Sequence, residues 1–192
     1  MPKVHRFRDV SATESVKSVV ASPLPDILKP GLKVVFVGYN PSLPAARIGH
    51  YYAGAQNFFY RLLHGHGLTP VLLSPWDDHT LPGYGIGLTD LCPVPSAQAG
   101  DLPAGALRAG REGLRAKLEG YQPLVACFNG LGVYRAYFGQ PPSGIGLQAN
   151  RIGASLVFAV PSTSPANNGL MRERDAAFAA LARLVRELQP AC

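Results

Sequence analysis

The chain has 192 residues, with 18 Lys and Arg against 12 Asp and Glu, a net charge of +6 and only 16% charged residues. That length suits a single domain that buries its own core. Cys92, Cys127 and Cys192 stand far apart with no C-x-x-C pair, which excludes a disulfide framework, a zinc site and an iron–sulfur cluster. No run approaches the about 18 apolar residues of a membrane span, and the N-terminus has no apolar core of signal-peptide type, so a reducing cytoplasm is the expected setting and the basic surplus favours a polyanionic partner such as nucleic acid.

Residues 1–27 mix charge, Ser and Pro without sustained periodicity and read as an arm or short helix ahead of one domain, 28–192. Lys33 to Ser42, KVVFVGYNPS, is an apolar run without alternation, the pattern of a strand buried on both faces of a helix-covered sheet. It stops at Gly38, where the backbone can turn sharply. Asn40 precedes Pro41 and is pushed to extended backbone, so its side chain is aimed. Taken alone the stretch is a strand ending in an ordinary turn; the ends of such strands are also where sheets of this kind carry ligands.

Residues 43–54, rich in Gly and small side chains, read as a loop with His50, Tyr51 and Tyr52 at its tip. Asn57 to His66 spaces Phe58, Phe59, Leu62 and Leu63 as one face of a helix, with His64 and His66 at its end rather than in a metal site. Residues 69–84 read as irregular structure or one short helix. Gly85 to Leu91 is a second core strand that delivers Asp90 to its edge, where an aspartate is by default a cap or turn former. Pro103 to Glu119 is an amphipathic helix with Leu107, Leu114 and Leu118 inward. Its Arg108, Arg111 and Arg115 either meet phosphates or form a solvated face.

Pro123 to Phe128 is a third strand, followed by a helix through Val133, Tyr134 and Tyr137. Ile145 to Ile152 suggests a hairpin, and Ser155 to Val160 is the next core strand. It runs into PSTSPANNGL, a polar loop, and Met171 to Leu188 closes the chain as an amphipathic helix. Strand, loop and helix in alternation predict an α/β fold, a three-layer αβα sandwich around a short, mostly parallel sheet of four to five strands.

Compared together, the loops at one sheet edge resemble those of the uracil-DNA glycosylase superfamily, and specifically its mismatch-specific uracil/thymine-DNA glycosylase branch. Gly38-Tyr39-Asn40-Pro41-Ser42 is similar to the Gly-Ile-Asn-Pro-Gly motif, and the spacing to Gly49-His50-Tyr51-Tyr52-Ala53 and Asn57-Phe58-Phe59-Tyr60 matches. Val160-Pro161-Ser162-Thr163-Ser164-Pro165-Ala166 resembles the second motif, and the likeness runs over about residues 28–189.

The resemblance implies an enzyme that flips uracil, especially from G:U mismatches, out of DNA and hydrolyses its N-glycosidic bond without metal or cofactor. It implies that Asn40 positions the water, that Tyr52 stacks on the base, that the Tyr39 backbone N–H bonds a uracil carbonyl, and that Gly38 and Ser42 complete the base site. Ser42 replaces the family glycine and leaves room beside the pyrimidine C5. Asp90 departs from the neutral or basic residue common in relatives, and a carboxylate there can take the proton that an amide cannot. Ser162, Thr163, Ser164, Pro165, Ala166 and Asn167 are implied to contact DNA, with the residue that plugs the vacated stack unassigned. The implied partner is double-stranded DNA with mismatched uracil, single-stranded DNA also being open, and the implied unit is a monomer in the bacterial cytoplasm or a eukaryotic nucleus. A glycosylase for another deaminated or 5-substituted base, and a non-catalytic damaged-DNA-binding protein, remain alternatives. A dinucleotide-binding domain is disfavoured by the absence of G-x-G-x-x-G after the first strand.

Overall fold

The apolar run after Lys33 forms β1 (Val34–Gly38), every residue of it buried. In the computed structural model, which describes residues 22–54, 56–97, 101–103 and 105–188 and only the backbone at Ala166 and Asn168, this strand lies inside a five-stranded sheet. Its neighbours are β2 (Ile86–Asp90) on one side and β3 (Val125–Asn129) on the other, both parallel to it. Beyond β3 come β5 (Ser155–Val160), also parallel, and at the edge β4 (Gly146–Ile152), which pairs antiparallel with β5; the stretch read as a hairpin over Ile145 to Ile152 is thus a single strand whose hairpin partner is β5. The order β2-β1-β3-β5-β4 makes the architecture α/β with a mostly parallel sheet.

Alternation along β1 builds a core on each face. Val34 and Phe36 join Phe59 and Leu63 of α2 (Phe59–Gly65) and Phe178, Leu181 and Val185 of α5 (Met171–Glu187). Phe36 meets Phe59 edge-on at 5.0 Å and lies parallel to Phe178 at 5.8 Å, the two arrangements that aromatic rings favour. Val35 and Val37 face the other way, toward Leu114 and Leu118 of α3 (Ala106–Tyr121) and Val133 and Tyr134 of α4 (Leu131–Phe138). Helices on both faces explain why the strands are apolar without alternation.

One expectation fails between β1 and α2. Leu43–Ile48 is a helix, α1, not loop: the Ser42 hydroxyl accepts from Ala45 N–H at 3.3 Å as its N-cap, proline stands in its first turn, and Gly49 closes it at φ 85°. Those are ordinary start and stop signals, masked by the segment's small residues. Residues 69–84 contain a 3-10 segment, Pro75–Tyr84, capped by the Ser74 and Asp77 pair. At the other end of the chain, Leu24 is buried, and Ile27 bridges Leu88 antiparallel with N–H to carbonyl distances of 2.9 Å in both directions. Residues 1–21 of the stretch read as an arm lie outside the described residues.

Candidate active site

The parallel strands all deliver their C-terminal ends to one sheet edge, and the register sets Gly38 beside Asp90 and Asn129 beside Val160. A cavity of about 360 Å³ opens there. Its walls include Gly38, Tyr39, Asn40 and Ser42 from the first loop, Tyr52, Asp90, and Ser162, Thr163, Ser164 and Pro165 from the loop after β5. Ten of the residues singled out in the sequence are thereby gathered at one site. Asn167 borders an adjoining cavity of about 290 Å³ that shares Tyr39 and Ser162 with the first, and the side chain of Ala166 lies outside the described residues.

Asn40 is held by its amide nitrogen. Nδ2 donates to Ser96 Oγ at 2.9 Å, to Pro41 O at 3.1 Å and to Val94 O at 3.2 Å. Two of those acceptors are backbone carbonyls, which can only accept, so the nitrogen end of the amide is fixed and Oδ1 is the end left for another group. A carbonyl oxygen fixed in a cavity wall accepts a hydrogen bond from water and orients its lone pairs; it takes no proton.

Asp90 is buried beside it, at 8% exposure, and neither carboxyl oxygen has a hydrogen-bond partner among the described residues. Burial pushes its pKa up to about 8, the nearby Asp26 carboxylate adds to the rise, and Lys117 opposes it. Asp26 and Lys117 form a partly exposed ion pair of 2.6 Å, and Asp26 also accepts from Thr89 Oγ1 at 2.6 Å. Only a glycine fits opposite Asp90, since a Cβ on Gly38 would overlap Asp90 Oδ1. The glycine that turns the chain after β1 therefore also makes room for the carboxylate.

Tyr52 brings its ring to the cavity wall with one face stacked on Phe59, at 3.9 Å and 26° between planes. Its backbone lies at φ 56°, in the left-handed region that side chains other than glycine rarely adopt. The loop that carries it is tied to the 3-10 segment by the Asp78 carboxylate, which accepts from Tyr51 N–H at 3.0 Å and meets His50 Nδ1 at 3.1 Å. Ser42 is exposed and spends its hydroxyl on capping α1, a duty that the sequence reading did not foresee.

The loop after β5 is clamped from several sides. Asn129 donates from Nδ2 to Thr163 Oγ1 at 3.0 Å and accepts from Thr163 N–H at 3.1 Å, while Thr163 O accepts from Phe58 N–H at 3.1 Å. Thr163, grouped by sequence with the DNA-facing residues, is thus turned inward and buried. Arg174, buried on α5, donates to Ser162 O at 2.9 Å and covers the Phe58 ring at 4.4 Å. Asn129 and Arg174 were missed by sequence reasoning. Asn129 ends a strand as Asp90 does, and that position was the available signal; Arg174 looked like one more charge on an amphipathic helix.

The arginines of α3 do not face this cavity. Arg108 and Arg115 pair with Glu112 and Glu119 along the helix at 3.4 and 2.8 Å, and Arg111 donates to Ala136 O at 2.6 Å. His66 pairs with Asp175 at 3.0 Å. Among the described residues no cluster of three or more His, Cys, Asp or Glu is placed to hold a metal ion, and no helix is long and apolar enough to cross a membrane.

A solved structure shares this architecture: a candidate uracil DNA glycosylase from Methanosarcina acetivorans, determined by solution NMR, superposes with a TM-score of 0.58 at 18% identity, over 86% of this chain and 98% of that one. At that identity the likeness speaks for the fold. The sequence itself matches the family model of the uracil DNA glycosylase superfamily over residues 25–186, a span that takes in every strand end around the cavity. The chain therefore belongs to the uracil DNA glycosylase superfamily.

Proposed function

We propose that the protein hydrolyses the N-glycosidic bond of a uracil extruded from DNA, with a preference for G:U mismatches, and leaves an abasic site. Superfamily membership supports a hydrolase that acts on uracil in DNA. The observation that carries the mechanism is the pairing in one cavity of an oriented amide, in the loop after β1, with a carboxyl at the end of β2 whose burial pushes its pKa up to about 8. The cavity volume falls within the range of about 300–1,000 Å³ common to small-molecule sites.

In this reading the extruded base enters between Tyr52 and the first loop, and the Tyr39 backbone N–H meets one of its carbonyl oxygens. Stacking and edge hydrogen bonds offset the cost of leaving the helix stack. Asn40 Oδ1 accepts a hydrogen bond from a water at the sugar C1′. As the bond from C1′ to the base nitrogen breaks, its electron pair leaves with the base. The water oxygen bonds to C1′, and the water proton passes to an ionised Asp90 oxygen. A carboxylate in a water-poor cavity also stabilises the positive charge that builds on the sugar. A general base works best with a pKa near the working pH, so the same burial that makes ionised Asp90 costly suits it to this step.

Mismatch preference is supported by the motif order, which resembles the mismatch-specific branch, and by the anchoring of Ser162 and Thr163 at the start of the loop beside the cavity. The test is single-turnover incubation with end-labelled U:G, U:A and single-stranded uracil oligonucleotides, followed by alkali to cut abasic sites. Faster cleavage of U:G than of U:A is expected. Binding to U:G duplex without any abasic product would instead favour the non-catalytic reading, and cleavage confined to other lesions would favour a different base.

A further inference from the structure

One polar group in the cavity wall lacks the partner its burial calls for, and a second, ionisable one lines the same cavity. The Tyr52 hydroxyl is, among the described residues, the one buried side-chain nitrogen or oxygen without a hydrogen bond. Asp90, buried on the neighbouring strand end, accepts no hydrogen bond from any described residue. Both groups border the same point: a Cβ placed on Gly38 would overlap the Asp90 carboxylate and lie 3.8 Å from Tyr52 Oη. The space that residue 38 leaves by having no side chain is thus taken by the Asp90 carboxyl, and the unpartnered Tyr52 hydroxyl stands on its other side.

The arrangement is not an accident of a loose loop. Tyr52 is locked from below by the Phe59 ring, and its neighbour Tyr51 is tied to Asp78. Its left-handed backbone is a conformation that persists only where the surroundings impose it, and such positions cluster at functional sites. Asn129 also acts on the hydroxyl, as a donor that favours the phenolate against the larger effect of burial, so that contact leaves the hydroxyl proton without an acceptor. Asp90 is the acceptor left uncommitted.

We propose that Tyr52 is a positioning residue for Asp90: the Tyr52 hydroxyl donates a hydrogen bond to one carboxylate oxygen when a base fills the cavity, leaving the other oxygen to face the water. This deepens the glycosylase reading and rests on it. A base filling the cavity removes water from Asp90 and by itself favours the neutral acid, which cannot take a proton; a donor to the carboxylate opposes that. The Tyr52 hydroxyl keeps its own proton, because burial first and the Asp90 charge second raise its pKa. The other groups acting on Asp90 are Asp26 ahead of β1 and Lys117 on α3, while Tyr51 and Cys92 also feel its charge and Cys127 on β3 acts on Tyr52. None of these offers a second donor to the carboxylate in the structure.

Tyr52→Phe removes the hydroxyl and keeps the ring on Phe59. Single-turnover uracil release from U:G duplex, measured from about pH 6 to about pH 10 for wild type, Tyr52→Phe, Asp90→Asn and the double variant, reads the coupling directly. For Tyr52→Phe the acidic limb is expected to move up by about one pH unit, so that the loss is about tenfold below the limb and shrinks as the pH rises past it. In the Asp90→Asn background the same change is expected to alter the rate by less than about twofold. An unmoved limb, or a loss equal at every pH, would overturn the coupling while leaving the glycosylase reading intact. A wild type that releases no uracil at any pH would sink both.

Discussion

At Gly38 the absent side chain is the functional one. The Asp90 carboxyl fills the space a Cβ would take, so Gly38→Ala is expected to displace it, at a cost of roughly 1–3 kcal/mol of stability from overpacking. Uracil release should fall with it, measured beside urea unfolding. Asp90 itself sets function against stability. In an unfolded chain its carboxyl ionises near 3.8, and in the fold near 8. Whatever stability the group supplies is therefore fully present below about pH 4 and lost as the pH rises toward about 8. Asp90→Asn removes that loss and should be more stable than wild type at pH 8 by roughly 1–3 kcal/mol in urea unfolding, with the difference fading near pH 4. Wild-type uracil release should correspondingly rise with pH and level off above about 8.

Among elements, β1 and its loop were legible because apolar run, glycine and Asn-Pro each constrain the backbone locally. The loop reading of 43–54 failed because small residues carry little periodicity, although Ser42 and Gly49 bracket a helix in the usual way. Asn129 escaped notice for a different reason. Asn-Gly after a strand reads as a turn, and only the parallel pairing of β3 with β5 reveals that its amide locks Thr163 in both directions. Asn129→Ala leaves two buried polar groups of Thr163 without their partner, so a loss of roughly 1–3 kcal/mol is expected in urea denaturation. The freed loop should also raise KM for U:G duplex more than it lowers kcat.

Across the whole molecule, a sheet covered on both faces leaves its C-terminal edge as the place where four strand ends meet, and all the candidate chemistry lies there. The fold class followed from the alternation of strand and helix. The identity of the site did not follow from any single motif, because cavity walls come from segments as distant as Gly38 and Pro165. The net charge of +6 suits a DNA partner, but the α3 arginines that suggested a phosphate-binding stripe are engaged with Glu112, Glu119 and Ala136 O. Attraction to DNA should still be ionic in part, with affinity for U:G duplex falling about tenfold or more between about 50 and about 200 mM salt in a fluorescence-anisotropy titration. Most direct is single-turnover alkali-cleavage of a U:G duplex by wild type, Asn40→Ala and Asp90→Asn at about pH 8. Wild type should convert uracil sites to abasic sites, and each variant should be slower by about a hundredfold or more. Wild-type rates in Asp90→Asn, or no abasic product from wild type, would contradict a hydrolytic site built on these two residues.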